Sequence, residues 1–296
     1  MIKVHDLVKS FGNKIVLDKL SFTINHHVIY GLLGPNGSGK TTTINILCNL
    51  LEADEGKILI KGNPLSEKTK HLIGFVPQEI SVYHELTCKE NLLFFSSIYG
   101  LQGSEKIKRT NELIQMFNLN EYENVKVTKL SGGWLRRINI AVALVHSPSI
   151  LILDEPTAGL DVEARYEIWE LINTLKDSGV GILLTTHQLE EAERLCSCIG
   201  ILKKGCIVAE GSLDELRLLV PAIQLALIAS EDEQSLRNRA KSLGWEYRRY
   251  GDRLMLLMPE RYTLKEVVYK FENIQLSSIS LQDVGLEQIY LEVTRE

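Results

Sequence analysis

The run Gly34-Pro35-Asn36-Gly37-Ser38-Gly39-Lys40-Thr41-Thr42 limits the fold more than any other stretch of the chain. Before it lies Val28–Leu33, a short apolar run of the kind that forms a strand buried on both faces. After it, Ile44, Leu47, Cys48 and Leu51 recur at helical spacing. A glycine-rich loop between a buried strand and a helix is the context in which the pattern G-x-x-x-x-G-K-[ST] signifies phosphate binding. Gly34, Gly37 and Gly39 let the backbone curl so that successive N–H groups face phosphate oxygens. The helix N-terminus adds its partial positive charge. Lys40 supplies a point charge for β- and γ-phosphates, and the Thr41 hydroxyl suits a Mg²⁺ ligand.

A second apolar run, Ile150-Leu151-Ile152-Leu153, ends in Asp154-Glu155. Two carboxylates thus emerge at the C-terminal edge of a central strand, where α/β sheets bind ligands. Asp154 is expected to hold Mg²⁺ through its water shell. Glu155 points the other way and is placed to take a proton from an attacking water. Gln78 and His187 follow other strand ends and offer polar side chains at the same edge. A further helix start, Leu130-Ser131-Gly132-Gly133-Trp134, can form a second anion-binding terminus. A chain with one complete phosphate loop needs no second for the same phosphate, so this one is expected to serve the γ-phosphate of a second subunit.

Around these motifs the periodicity alternates between strand and helix. Residues 2–8 and 20–24 read as strands joined by a turn at Gly12–Asn13, and the N-terminus lacks the apolar segment of a signal peptide. Lys57–Ile60 and Leu72–Val76 read as further strands. From about 87 to 147 the pattern turns helical, with apolar stripes in Asn91–Tyr99, Glu105–Phe117 and Leu135–Val145. Strand signals return at Ile150–Leu153 and Gly181–Thr185, flanking a helix that Gly179 caps. Succession of strand, helix and strand implies a parallel α/β core with a helical insert. A last core helix is expected over Gly211–Val220, with a boundary at Pro221. Beyond it the order is βαββαβ, a ferredoxin-like α+β accessory domain over 221–296, closed by a helix at Gly285–Val293.

Composition narrows the function classes. A net charge of −5 leaves no basic footprint for nucleic acid. Five scattered cysteines lack redox or zinc spacing, and no apolar stretch approaches the ~18 residues that span a bilayer. Any membrane role therefore requires another polypeptide.

With these motifs in order, the chain resembles the nucleotide-binding subunit of an ATP-binding cassette (ABC) transporter over about residues 1–217. The resemblance assigns Phe11 to the aromatic A-loop, 34–42 to Walker A, Gln78 to the Q-loop and 130–134 to the signature. It assigns 150–155 to Walker B, Ala158-Gly159-Leu160-Asp161 to the D-loop and His187 to the H-loop. It implies a P-loop NTPase core of the RecA-like kind, with an antiparallel β subdomain and an inserted helical subdomain. It further implies ATP and Mg²⁺ as cofactors and a head-to-tail homo- or heterodimer that sandwiches two ATP molecules. Phe11 would stack on adenine, residues 34–42 would hold the phosphates, and Thr41, Gln78 and Asp154 would hold Mg²⁺. Glu155, His187 and Lys40 would act in hydrolysis, and Leu130, Ser131, Gly132 and Gly133 would act on the partner's ATP.

Trp134 departs from the pattern, which usually has glutamine there. The ending Val284–Thr294 and the segment Leu86–Phe95 are similar to ATPases of the ABC-2 type export class. The expectation is an exporter ATPase carried on the cytoplasmic face of the inner membrane by separate transmembrane permease subunits. The alternative is a soluble ABC ATPase without a transport role.

Overall fold

Alternation of apolar and polar residues at the N-terminus becomes a long hairpin in the computed structural model, which describes residues 1–251 and 253–295. Asp252 and Glu296, inside the span read as the accessory domain, lie outside the described residues. β1 (Ile2–Phe11) pairs antiparallel with β2 (Lys14–Ile24). Both strands are longer than their periodicity suggested. Asp6 and Lys19 take positive φ values of 47° and 51°, and register shifts around Leu7 break the two-residue alternation. β3 (Ile29–Leu33) follows, then the glycine loop and α1 (Lys40–Leu47). β4 (Glu55–Ile60) and the short β5 (Asn63–Pro64) complete a four-stranded antiparallel sheet in the order β2-β1-β4-β5.

β6 (Ile73–Val76) leads into the helical insert of α2 (Cys88–Ile98), α3 (Gly103–Met116) and α4 (Gly132–Ala143). A capping box starts α2: the Thr87 side chain accepts from Glu90 N–H while Glu90 accepts from Thr87 N–H. β7 (Ile150–Asp154), α5 (Val162–Asp177), β8 (Gly181–Thr186) and α6 (Leu189–Leu195) return to the α/β pattern. Gly179, at φ 102°, follows the C-terminus of α5 in a left-handed conformation that favours glycine. β9 (Cys198–Lys203) and β10 (Cys206–Gly211) close the second sheet, whose order is β10-β9-β3-β8-β7-β6. All its pairs are parallel except β10 with β9. Residues 189–211, which form α6, β9 and β10, carry no clear strand or helix period in the sequence.

Alternate residues of one strand feed two cores. Leu151 and Leu153 of β7 pack with Ile138 and Val142 of α4 and Ile168 and Ile172 of α5. Ile150 and Ile152 face the other way, with Ile2, Val4 and Leu20 of the antiparallel sheet and Ile44 and Leu47 of α1. Every one of these side chains is buried, and each contributes about 1.5–3 kcal/mol relative to exposure. The parallel sheet is therefore clamped on both faces, which fixes its C-terminal edge as a rigid platform.

Contacts divide the chain into two units, 1–212 and 213–296. The helix read as the last of the core, α7 (Leu213–Arg217), groups with the second unit, where Arg217 Nε donates to Val284 O at 2.9 Å. In that unit β11 (Gln224–Ser230), α8 (Glu233–Ser242), β12 (Glu246–Tyr250), β13 (Arg253–Met258), α9 (Leu264–Lys270) and β14 (Leu276–Asp283) follow the βαββαβ order. They form one antiparallel sheet, β12-β13-β11-β14, and α10 (Leu286–Val293) ends the unit. Its core is built by Trp245, Phe271, Leu256 and Met258. The five cysteines carry free thiols.

Candidate functional site

The glycine loop joins β3 to α1 through backbone that only glycine takes without strain. Gly39 sits at φ 114°, and a Cβ there would fall 2.6 Å from Leu17 Cδ2. A Cβ on Gly34 would lie 2.6 Å from Leu202 O and 2.7 Å from Ser38 Oγ, so the loop is packed directly on β9. The buried Ser38 hydroxyl has no protein partner among the described residues. Lys40 is 7% exposed, and its Nζ donates to Gly34 O at 2.6 Å and Pro35 O at 3.2 Å. Burial lowers its pKa, while the Glu155 and Asp154 carboxylates pull it back up.

Adjacent parallel strands deliver the acids. Asp154 of β7 is the register partner of Thr185 of β8, whose hydroxyl donates to Asp154 Oδ1. Burial raises the Asp154 pKa, opposed by the Thr185 hydrogen bond, and neighbouring Glu155 raises it further. Glu155 turns sharply away at φ 46°, its N–H bonded to Thr185 O at 3.0 Å. Its Oε1 lies 2.8 Å from His187 Nδ1. A cleft of about 270 Å³ gathers Asn36, Gly37, Gly39, Lys40, Thr41, Thr42, Gln78, Asp154 and Glu155, with Lys14 and Val16 on its wall.

Other residues singled out in the sequence lie outside this lining. Phe11 is exposed at the end of β1, opposite Lys14 in the hairpin register, with Lys9 Nζ 5.7 Å from its ring centroid. Ser131 is the exposed N-cap of α4 and makes no capping bond to its own helix. A Cβ on Gly133 would meet Ala164 Cβ at 3.0 Å, so the signature turn packs against the start of α5. Asp161 caps that helix, accepting from Ala164 N–H at 2.8 Å. Trp134 is half-buried, its ring 4.3 Å from that of Tyr122 and 4.9 Å from the Arg137 guanidinium. It fills a crevice of the helical insert.

Some residues that shape the site carried no sequence signal. In the sequence Thr185 is only the last residue of the strand Gly181–Thr185. Glu191, fully buried on α6, accepts from Thr157 Oγ1 at 2.6 Å and Trp169 Nε1 at 3.2 Å, fixing the turn after Glu155. Arg136 sits beside the apolar stripe of α4 and bonds backbone carbonyls at Gln78. A single motif does not foretell any of these, because each partner lies on another element.

The arrangement can hold a polyphosphate on backbone amides and a lysine, beside a carboxylate poised against water. A protein-family model described as ABC transporter matches residues 17–158. The linearmycin resistance ATP-binding protein LnrL of Bacillus subtilis is 40% identical over 219 residues, 73% of this chain and 70% of that protein. The Nod factor export ATP-binding protein I of Burkholderia lata is 41% identical over 214 residues, 71% of this chain and 70% of that protein. A solved ATP-binding cassette, a dimeric post-hydrolysis state bound to ADP and Pi, matches with a TM-score of 0.63 at 29% identity, covering 72% of this chain and 98% of that one. Fold, site and relatives agree that the chain belongs to the ABC transporter family as one of its ATP-hydrolysing, nucleotide-binding cassettes.

Proposed function

We propose that this cassette drives an exporter. The observation that carries the reading is the separation of the two anion sites: Lys40, Asp154 and Glu155 share one cleft, while Ser131 stands exposed at another helix terminus. Two cassettes closing head to tail complete each other's sites, with Ser131 and Gly133 of one set against the γ-phosphate held by the other. Leu130 and Gly132 shape that terminus, and Asp161 lies beside it. Both a second copy and a related chain fit such closure.

Mg²⁺ suits the donor set. Thr41 hydroxyl, Asp154 carboxylate and the Gln78 side-chain oxygen are hard ligands, and phosphates supply the rest of such a shell. Held there, Mg²⁺ would supply charge neutralisation to the phosphates. Residues 34–42 orient the phosphates, and Phe11 stacks on adenine. Glu155 accepts the proton of the attacking water. His187 holds that carboxylate through Nδ1 and offers Nε2 to the γ-phosphate.

No helix among the described residues is long and apolar enough to cross a membrane. Separate transmembrane permease subunits, docked near Gln78 and Tyr83–Thr87, would carry the pathway and hold the cassette at the cytoplasmic face of the inner membrane. The relatives named for resistance and export support this reading over a non-transport ATPase. Residues 213–296 serve as the accessory unit of the same subunit. Affinity purification of the tagged chain from detergent-solubilised membranes tests the proposal. Recovery with a polytopic permease is expected, and recovery without any integral membrane protein would sink it.

A further inference from the structure

One oxygen of a fully buried carboxylate holds both flanks of the turn that follows Glu155. Glu191, on α6, accepts through Oε1 from the Thr157 hydroxyl at 2.6 Å and from Trp169 Nε1 at 3.2 Å. Thr157, itself fully buried, lies two residues after Glu155, and Trp169 stands on α5 beyond the segment 158–161. Ala158 N–H bonds Glu155 O at 3.1 Å and Leu160 N–H bonds Thr157 O at 3.2 Å. α6 begins at Leu189, two residues after His187, whose Nδ1 lies 2.8 Å from Glu155 Oε1. Side chains thus close a ring. It runs from Glu155 along the chain to Thr157, across to Glu191, back along α6 to His187, and across again to Glu155.

A buried carboxylate is a costly way to fill space. Glu191 Oε2 has no protein partner among the described residues, and an apolar side chain of similar size generally packs as well or better. What an apolar side chain cannot supply is a charged acceptor, whose hydrogen bonds are short and orient their donors strongly. The bond from Thr157 is of that kind. Its place in the chain explains the need. Glu155 sits at φ 46°, a region that a non-glycine residue keeps only where its surroundings over-determine it. The bond from its N–H to Thr185 O fixes one side of that residue, and the Thr157 hydroxyl fixes the other. Without the second hold the carboxylate can swing, while the phosphate loop, set between β3 and α1, stays in place.

We propose that Glu191 is a positioning residue for ATP hydrolysis: by holding the Thr157 hydroxyl it fixes the left-handed turn that aims the Glu155 carboxylate at the attacking water. Glu191 lies outside the lining of the nucleotide cleft and acts only through the turn. The inference rests on the reading that Glu155 takes the proton of that water. Loss of the hold therefore falls on the chemical step and leaves nucleotide binding alone.

Steady-state ATP hydrolysis by the full chain tests it, with Mg²⁺ and at a temperature where every variant is folded by circular dichroism. Thr157→Val keeps the shape and loses the donor, Glu191→Met loses the acceptor, and the two combine in a double-mutant cycle. A misplacement of ~1 Å can cost about 10²-fold in rate, and each single variant should lower kcat about tenfold. KM and the affinity for a fluorescent ATP analogue should stay within about twofold. The pair should lose no more than the worse single variant, because both cut one bond. Thr157→Ser, which loses a methyl group and keeps the hydroxyl, should exceed Thr157→Val in kcat; a role in packing alone gives the opposite order. Glu191→Gln keeps an acceptor oxygen and should likewise exceed Glu191→Met. Unchanged kcat in Thr157→Val, additive losses in the pair, or a KM raised as much as kcat is lowered overturns the proposal. If one of the two does not fold, the other, compared with its conservative partner Thr157→Ser or Glu191→Gln, decides alone. The Glu155→Gln background separates the two layers. Parent-like hydrolysis by Glu155→Gln defeats the reading of Glu155 itself, whereas its loss together with full kcat in Thr157→Val defeats only the hold. A further fall of about tenfold on adding Thr157→Val to Glu155→Gln places the hydroxyl's effect elsewhere and is equally fatal.

Discussion

His187 Nδ1 and Glu155 Oε1 lie 2.8 Å apart, joining residues that leave the C-terminal ends of adjacent strands β7 and β8. The Glu155 backbone is itself held to the neighbouring strand, its N–H bonded to Thr185 O. Glu155→Gln keeps the shape and the His187 contact but removes the proton acceptor. Phosphate release should fall by about 10²–10⁴-fold, with ATP-bound dimers accumulating on a sizing column. His187→Ala should lower turnover while monomer nucleotide affinity holds. Equal phosphate release by the parent and Glu155→Gln would remove Glu155 from the chemistry.

Asp154 yields a prediction about pH. Its folded pKa is raised, chiefly by burial, above the ordinary value of 3.8. A raised carboxyl pKa means that the fold favours the protonated form. The associated stability is full below the ordinary value and is lost as pH rises through the folded value. In the absence of divalent metal, Asp154→Asn should therefore melt higher than the parent at pH 7, and the difference should shrink as pH falls towards 4. The same variant should lose the extra melting temperature that Mg²⁺ and nucleotide confer on the parent. A metal-free melting temperature lowered by the substitution at pH 7 would contradict the burial argument.

Gly39→Ala tests the loop geometry. At φ 114° a Cβ is strained in any surroundings, and here it would press on Leu17 and lie 3.1 Å from Val16 O. A residue held in so sparsely populated a region costs about 1–3 kcal/mol, readable by urea denaturation, and nucleotide affinity should drop with it. Unchanged stability together with unchanged affinity would show that the loop relaxes freely.

Trp134 is a packing residue in this structure, seated on Tyr122 and Arg137. Trp134→Gln should cost about 1–2 kcal/mol from the lost aromatic and cation–π contacts. ATP turnover should stay within about twofold at a temperature where both proteins are folded, since Ser131 and Gly133 lie outside that cluster. A turnover change well beyond the stability change would assign the indole a part in dimer closure.

What could be read in the sequence was what local pattern encodes. The loop at 34–42, the carboxylates after Leu153 and the helical stripes of the insert each declare themselves within a dozen residues. The βαββαβ order of the second unit was legible for the same reason, since its strands keep their apolar faces. The long N-terminal hairpin was underestimated because the irregular backbone at Asp6 and Lys19 interrupts its alternation. Helix α6 and strands β9 and β10 went unassigned, although Lys204-Gly205, with φ values of 50° and 85°, forms the tight turn of a hairpin. The hold of Thr185 on Asp154 and of Arg136 on Gln78 depends on partners 31 and 58 residues away, which no single-chain period can reveal.

The boundary between the two units gives the last prediction. Among the described residues, the buried apolar side chains of the two cores around the parallel sheet lie at or before Leu202, and the half-buried Ile207 that packs on them also precedes Ser212. Helix α7, by contrast, belongs to the second unit, where Leu216 is buried and Arg217 bonds Val284 O. A chain ending at Ser212 should therefore fold, remain soluble and bind ATP with about the parent's affinity. Ending the chain at Val220 instead strips α7 of its Val284 partner and adds Leu218 and Leu219, which are already exposed in the full protein. The longer truncation should then aggregate more and melt lower than the shorter one. Sizing columns and thermal melts decide the matter: if the chain ending at Val220 behaves better, α7 completes the ATPase unit and the division at Ser212 is misplaced.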